Sequence, residues 1–291
     1  LTLSVRDGAD PRFLPFVFQS EAFITFATNR KVGSTNPHIR WRDVADFEFD
    51  LPPLDQQRRI AEILWAVDEV EQKRLSAHVA TSDYLNATVE AELKKMLEGP
   101  GLKLCELWPE SPDSGCSAPP STVETGHFVL SLTALSKRGY VPSNLKPVER
   151  TDAMLTARLS KGDFLISRSN TQELVGLVGI FEEERDDVSF PDTMMRLHLD
   201  EKRVLKPFVE VVLSSNQGRK HMMRSAAGTS GSMKKINRQT LGQCVVPTPT
   251  IAKQQRLLDT LAGIRGAVRA VEASITTTQS LKMTITNSIF S

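Results

Sequence analysis

Two stretches of the sequence match each other across almost two hundred residues: Leu51-Pro-Pro-Leu-Asp-Gln-Gln-Arg-Arg-Ile60 and Pro249-Thr-Ile-Ala-Lys-Gln-Gln-Arg-Leu257. A shift of 197 residues, without gaps, extends the match outward from both. The aligned pairs include Ile39 with Ile236, Phe49 with Val246, Leu64 with Leu261, and Val67 with Ile264. So long an ordered series indicates an internal repeat.

Each copy of the repeat has the same order of features. A short helical pattern comes first, then a Gly/Ser/Thr loop with basic residues, a strand, a proline hinge and a long helix. Upstream, Pro15-Phe-Val17 matches Pro207-Phe-Val209 at a shift of 192, which predicts five extra residues in the second copy, near Gly228-Thr-Ser-Gly-Ser232. The second copy also has about a hundred more residues in front of it.

The two long helices carry narrow apolar seams. Residues 55–98 contain no proline or glycine and end at Gly99-Pro100, and a second helix is predicted over residues 252–288. A helix of 44 residues is about 66 Å long. Such seams predict a coiled coil, with the two helices pairing antiparallel within the chain; pairing with a partner's helix is the alternative. His78 in the first seam is interpreted as a polar layer rather than a metal ligand.

Between the helices, residues 101–250 show the pattern of an α+β domain. Short strands are predicted at 127–132, 163–167, 175–181 and 194–199, and Pro207 opens a helix. The predicted fold is therefore a globular domain with a small mixed or antiparallel sheet, flanked by two long helices that pair as an antiparallel coiled coil.

Charge is unevenly distributed along a chain whose formal net charge is only +1. Eight basic residues and one acidic residue lie between Arg203 and Arg238. A local basic face is typical of proteins that bind phosphates at a defined site. The sequence contains no dinucleotide-binding, P-loop, zinc-protease or nucleophile-elbow motif, so we expect no catalytic site, cofactor or metal on this chain.

Two polar loops are the candidate binding site. In Ser167-Arg-Ser-Asn-Thr-Gln172, Arg168, Asn170 and Thr171 are predicted to read bases, with Ser169 between them, because Arg pairs with guanine and Asn with adenine. The second loop and the helix before it are predicted to hold phosphates through Thr229, Ser230, Ser232, Lys234 and Lys235, supported by Arg219 and Lys220. The alternative for either loop is a solvated segment without a partner.

Several segments, in order, resemble the specificity (S) subunits of type I restriction-modification systems. These are Lys161-Gly-Asp-Phe-Leu-Ile-Ser-Arg-Ser-Asn-Thr171, Phe190-Pro-Asp-Thr-Met-Met-Arg196, Gly228-Thr-Ser-Gly-Ser-Met-Lys234, and both Gln-Gln-Arg hinges. The resemblance implies residues 1–52 as the C-terminal remnant of a first target-recognition domain, 53–98 as a first conserved helix, 99–250 as a second target-recognition domain, and 251–291 as a second conserved helix.

In that family each recognition domain reads one half of a split double-stranded DNA site, and the paired helices set the gap between the halves. The resemblance further implies partners: adenine methyltransferase subunits that use S-adenosylmethionine and flip the target base, and a motor-nuclease subunit that uses ATP and magnesium. The S subunit itself would catalyse nothing and bind no cofactor.

Two other classes of protein remain as alternatives. One is a coiled-coil scaffold whose globular domain binds protein, and the other is the recognition part of a fused restriction-methylation enzyme. We expect a cytoplasmic protein without a membrane partner, for three reasons. Three cysteines cannot form a complete set of disulfides, no apolar run is long enough to span a membrane, and residue 1 is not followed by a leader pattern.

Overall fold

The computed structural model describes residue 5 and residues 8–142, 145–228 and 233–290 of the 291-residue chain. The chain forms two compact units. The first unit comprises residues 1–84 and 264–291, and the second comprises residues 85–263. Each long helix contributes one part of its length to each unit.

The first unit is mainly helical. Its helices are α1 (Leu14–Val17), α2 (Glu21–Asn29), α3 (Trp41–Ala45) and the larger parts of α4 (Leu54–Leu97) and α9 (Ile251–Phe290). Ser20 caps α2, because its hydroxyl accepts a hydrogen bond from the Phe23 amide at 3.2 Å. Helix α4 begins directly after Pro53 and runs for 44 residues, since its sequence contains no helix breaker.

Helices α4 and α9 pair antiparallel within the first unit. The Lys282 ammonium lies 2.6 Å from the Asp68 carboxylate, and His78 Nε2 lies 2.9 Å from the Glu272 carboxylate. The contacting residue number therefore rises by ten on α4 while it falls by ten on α9. The predicted intrachain antiparallel pairing is confirmed, and His78 forms a polar layer in it.

An aromatic core closes the end of this helix pair. The Phe13 and Phe290 rings lie 5.2 Å apart between centroids, and Phe16 meets Trp65 edge to face at 5.4 Å. The buried members of this core are Phe13, Phe16, Val17, Ala61, Leu64 and Phe290. Burial of these apolar side chains fixes α1 against both long helices.

In its described residues, the second unit contains short strands and four short helices, besides the ends of α4 and α9. The strands are β1 (Gly101–Lys103), β2 (Asp113–Ser114), β3 (Phe128–Val129), β4 (Leu135–Ser136), β5 (Gly139–Tyr140), β6 (Lys146–Pro147), β7 (Phe164–Ser167), β8 (Ser169–Asn170), β9 (Val178–Ile180), β10 (Val188–Ser189), β11 (Met194–Leu197), β12 (Lys234–Lys235) and β13 (Val245–Pro247). The helices are α5 (Asp152–Thr156), α6 (Lys206–Ser214), α7 (Asn216–Ser225) and α8 (Arg238–Gly242), and 3-10 turns lie at Leu104–Leu107 and Leu132–Ala134.

The strands form several small sheets. The largest has the order β2-β11-β7-β9 and is antiparallel throughout. A second sheet, β10-β3-β6, is mixed, because β10 pairs parallel with β3 and β6 pairs antiparallel with it. The described part of the unit also has three antiparallel pairs: β1-β13, β4-β5 and β8-β12. The predicted α+β class with small mixed and antiparallel sheets is confirmed.

Strand β7 separates two apolar cores. Phe164 and Ile166 point into the core that includes α6 and α8, whereas Leu165 points into the core on the opposite face. All three side chains are fully buried. This alternation is the two-residue period of a strand that is covered on both faces.

Two buried glutamines show the internal repeat in the structure. Gln57 Oε1 accepts from the Asp10 amide at 2.8 Å, and its Nε2 donates to the carbonyl oxygens of Gly8 and Pro52. Gln254, which lies 197 residues later, makes the same three bonds with Leu205, Arg203 and Pro249. The side chain of each Gln thus ties its proline hinge to the segment that precedes the first short helix.

The repeat register upstream of the loop differs from the expected shift of 192. Ser20 and Ser215 are equivalent caps, and each hydroxyl also donates to the carbonyl three residues earlier at 2.7 Å. Their separation is 195 residues. The bridge between Val32 and His38 matches the one between Ala227 and Lys235, so the shift changes from 195 to 197 inside this loop. The second copy has two extra residues there, not five, although their location is as predicted.

Candidate nucleic-acid interface

An exposed turn follows the central strand of the largest sheet. Asn170 Oδ1 accepts a hydrogen bond from the Thr171 amide at 2.9 Å, and the Thr171 carbonyl accepts from the amides of Leu174 and Val175. Residues 171–174 are all exposed, whereas Ser167 at the end of β7 is fully buried. We call residues 171–174 the polar turn.

Two distant sequence motifs meet beside the polar turn. Strand β8 pairs antiparallel with β12, so that Asn170 lies opposite Lys234 and Ser169 lies opposite Lys235. The amide of Ile236 donates to the Arg168 carbonyl at 2.9 Å and extends the same ladder. This two-stranded ribbon places the predicted base readers next to the predicted phosphate-binding lysines.

The predicted site residues differ in exposure and in partners. Arg168 is half-buried, and within the described part of the chain its guanidinium makes no hydrogen bond or ion pair. Ser169 is buried and Thr171 is exposed. Lys235 is exposed, and the Lys234 ammonium donates to the Gly228 carbonyl at 2.8 Å. Thr229, Ser230 and Ser232 lie outside the described residues.

Arg219 has a different environment from the one expected for a phosphate-binding residue. Its Nη2 donates to the carbonyl of Glu173 in the polar turn at 2.9 Å, and its Nη1 is buried with no hydrogen-bond partner among the described residues. Burial lowers the pKa of the Arg219 guanidinium. Gln172, which the sequence analysis did not select, donates from its side-chain amide to the Met223 carbonyl on α7.

The opposite side of α7 lines an open cleft of about 490 Å³. Lys220 and Arg224 lie one turn apart on this side, and neither forms an ion pair with a described residue. Glu90 is also in the cleft, where its carboxylate accepts from the Asn216 amide at 2.8 Å and so caps α7. Arg224 was missed as a candidate, although its four-residue spacing from Lys220 was a visible signal.

A network of charged side chains fixes the sheet behind the ribbon. The Arg196 guanidinium lies 2.7 Å from the Asp113 carboxylate and 3.0 Å from that of Asp163. Burial acts to raise the pKa of Asp113, but hydrogen bonds from Arg196 and His198 hold that pKa below its usual value. Asp163 also accepts from the Ser160 amide at 3.0 Å, so its carboxylate closes the turn that leads into β7.

Among residues 8–142, 145–228 and 233–290, no group of three or more His, Cys, Asp or Glu side chains is arranged to hold a metal ion. Within the same ranges, no helix has the length and apolar character needed to cross a bilayer.

Comparisons with known proteins give similarities of one kind. Residues 3–78 match the type I restriction modification DNA specificity domain. The EcoKI specificity subunit of Escherichia coli K12 is 28% identical over 149 residues, which cover 50% of this chain and 32% of that protein. The Escherichia coli EcoEI specificity subunit is 22% identical over 147 residues, which cover 50% and 25%. The matched part thus spans a third or less of these relatives.

Solved structures share the fold at low sequence identity. A chain from a study of complex assembly and conformational transition in the type I R-M system has a TM-score of 0.65 at 18% identity, covering 99% of this chain and 72% of that one. The S subunit from M. genitalium has a TM-score of 0.56 at 15% identity, covering 98% and 73%. Residues 3–78 are thus similar to the DNA specificity domain of type I restriction-modification systems, and the chain shares its fold with solved structures of such systems.

Proposed function

We propose that this protein is a DNA-specificity subunit whose second unit reads one half of a bipartite double-stranded site. The observation that carries the proposal is the ribbon of β8 and β12, which brings the polar turn, Arg168 and Lys235 together on one unit. Such a surface combines groups that can read base edges with groups that can neutralise phosphates.

Arg168 is the strongest candidate for base reading. Since its guanidinium has no partner among the described residues, its N–H donors are available to fork onto the O6 and N7 atoms of guanine. The Asn170 carboxamide already bonds the Thr171 amide, and its Nδ2 lies 3.4 Å from the Ser167 hydroxyl. Asn170 would therefore read adenine only by exchanging these bonds, whereas the exposed Thr171 hydroxyl can reach a base directly.

Lys220, Arg224 and Lys235 are the proposed phosphate contacts. They are exposed and have no ion-pair partner within the part of the chain that the structure describes. Phosphate contacts of this kind set affinity and its dependence on salt, without selecting a sequence. Lys234 contributes less, because its ammonium is already bonded to the Gly228 carbonyl.

The long helices have a proposed role in the assembly of a larger complex. The paired helices would set the distance to a second reading unit and dock adenine methyltransferase subunits, with a motor-nuclease subunit joining the complex. S-adenosylmethionine, ATP and magnesium would then act on those partners, and this subunit would contribute sequence choice without catalysis. The complex would work in the cytoplasm, where its DNA substrate is.

Mapping of methylated adenines in cells with and without the gene tests this function. We expect a split adenine-methylated motif that disappears on deletion and returns when the gene is restored. If the methylation pattern stays the same and the purified protein shows no salt-dependent DNA binding, the protein is instead a scaffold whose globular domain binds protein.

A further inference from the structure

The polar turn is tied to α7 by two hydrogen bonds that run in opposite directions. Arg219 on the helix donates to the Glu173 carbonyl of the turn at 2.9 Å, and Gln172 of the turn donates to the Met223 carbonyl of the helix. Each segment therefore supplies one side-chain donor and one backbone acceptor. Both donors are held close to backbone atoms rather than extended toward solvent.

The chain two residues beyond the polar turn also lies close against α7. Gly176 has a φ of +74°, and a Cβ built there would lie 2.6 Å from Cγ of Met222. Only a residue without a side chain fits this close approach and this backbone conformation. Gly176, together with the two hydrogen bonds, sets the position of the turn relative to the helix at three points.

The first copy of the repeat indicates that α7 does not need Arg219 for its own helical structure. Ile24 occupies the equivalent position on α2, 195 residues earlier, and is 53% exposed. Its apolar side chain cannot donate a hydrogen bond, yet α2 has the same serine cap as α7. The contribution of Arg219 therefore lies in its contact with the polar turn.

We propose that Arg219 and Gln172 are positioning residues that determine DNA selectivity by holding the polar turn in its reading geometry. This inference rests on the proposed function and replaces the expected phosphate-binding role of Arg219. A guanidinium with one buried edge and the other edge bonded to Glu173 is poorly placed to neutralise a phosphate. Loss of either bond would loosen the turn, so that correct and incorrect bases are bound more equally.

Selection from a randomised double-stranded DNA pool tests the proposal with the full chain. The bound DNA is sequenced and affinities are measured at several salt concentrations. Arg219→Ala and Gln172→Glu should each reduce discrimination against a single wrong base by about tenfold. Each variant removes one of the two hydrogen-bond donors that hold the polar turn against α7. The salt dependence of Arg219→Ala should match wild type. The neighbouring control Lys220→Ala should keep base preferences and lower the salt slope by about one unit.

A structural defect is separated from a positioning role by two further measurements. Arg219→Lys keeps a donor and the charge, so it should restore part of the base preference that Arg219→Ala loses. Hydrogen exchange at the amides of residues 172–176, measured without DNA, should be faster in Arg219→Ala and Gln172→Glu. If Arg219→Ala does not fold, Gln172→Glu carries the test alone.

Failure of the proposed function and failure of this inference give different results. If the wild-type protein enriches no DNA sequence, that result contradicts both the proposed function and this inference. If the wild-type protein prefers a DNA sequence and both variants keep that preference, the result contradicts only the inference. An Arg219→Ala variant with intact preferences and a salt slope lower by about one unit assigns Arg219 to a phosphate instead.

Discussion

The two copies of the repeat share a frame and differ in what the frame supports. Ser20 and Ser215 cap equivalent helices, Gln57 and Gln254 make equivalent hinge bonds, and all four side chains are buried. Four residues after each cap, the first copy has the exposed Ile24, and the second has Arg219, which is bonded to the Glu173 carbonyl. The helices, loop and hinge thus fold as a common support in both copies, whereas the candidate reading residues of the second unit lie on segments outside these shared elements.

The hinge glutamines should have the largest effect on stability. Gln254→Leu leaves the Leu205 amide and the carbonyls of Arg203 and Pro249 without their partner, and should lower the free energy of unfolding by about 3 kcal/mol. Gln57→Leu should have a similar effect in the first unit. Urea denaturation measures both losses, and a large loss in only one variant would show that the hinges are not equivalent.

Removal of a free lysine should affect DNA binding uniformly. Lys235→Ala should weaken binding severalfold for all sequences and reduce the salt slope by about one unit, because one phosphate contact is lost. Lys161→Ala is the matched control, since the Lys161 ammonium already pairs with Glu184 at 2.6 Å. Titrations at several salt concentrations measure the slopes. Equal slopes for Lys235→Ala and wild type would contradict the phosphate role.

The serine caps should each contribute about 1 kcal/mol. Ser20→Ala and Ser215→Ala remove equivalent caps from α2 and α7, so the two losses of unfolding free energy should agree. Ser76→Ala is a control on α4, because its exposed hydroxyl bonds only within its own helix. Thermal unfolding of the three variants compares them, and a loss confined to one cap would break the structural equivalence.

The smallest expected effect is on acid stability. The folded-state pKa of Asp113 is held low, so the stabilisation by its contacts with Arg196 and His198 is present at neutral pH and is lost as pH falls through that pKa. Since Asp113 is 40% exposed, solvent screening should keep the effect below about 1 kcal/mol. Asp113→Asn should flatten the decline in stability below about pH 4, and an unchanged pH profile would contradict this origin.

Much of the frame could be predicted from the sequence, because it depends on local patterns. The proline hinges and the absence of breakers between residues 55 and 98 predicted the long helices, and the narrow seams predicted their pairing. The upstream shift of 192 was wrong by three residues. Three residues are close to one helical turn, so the apolar positions still matched and the error was not visible without the serine caps.

The candidate site was only partly predictable, because it is assembled by long-range contacts. The pairing of Asn170 with Lys234 joins two strands of two residues each, which are too short to show an alternating pattern. The sequence also gives the charge of Arg219 but not the direction of its guanidinium. That direction depends on the approach of Glu173, which lies 46 residues away along the chain.

The most direct test of the central claim is the base preference of Arg168→Ala, measured by sequencing DNA selected from a randomised pool, beside wild type and Lys235→Ala. If the second unit reads DNA through the ribbon and polar turn, Arg168→Ala loses preference for a guanine at one position, by about 1–3 kcal/mol, and keeps it elsewhere. Equal weakening for every sequence, as expected of Lys235→Ala, would contradict the account.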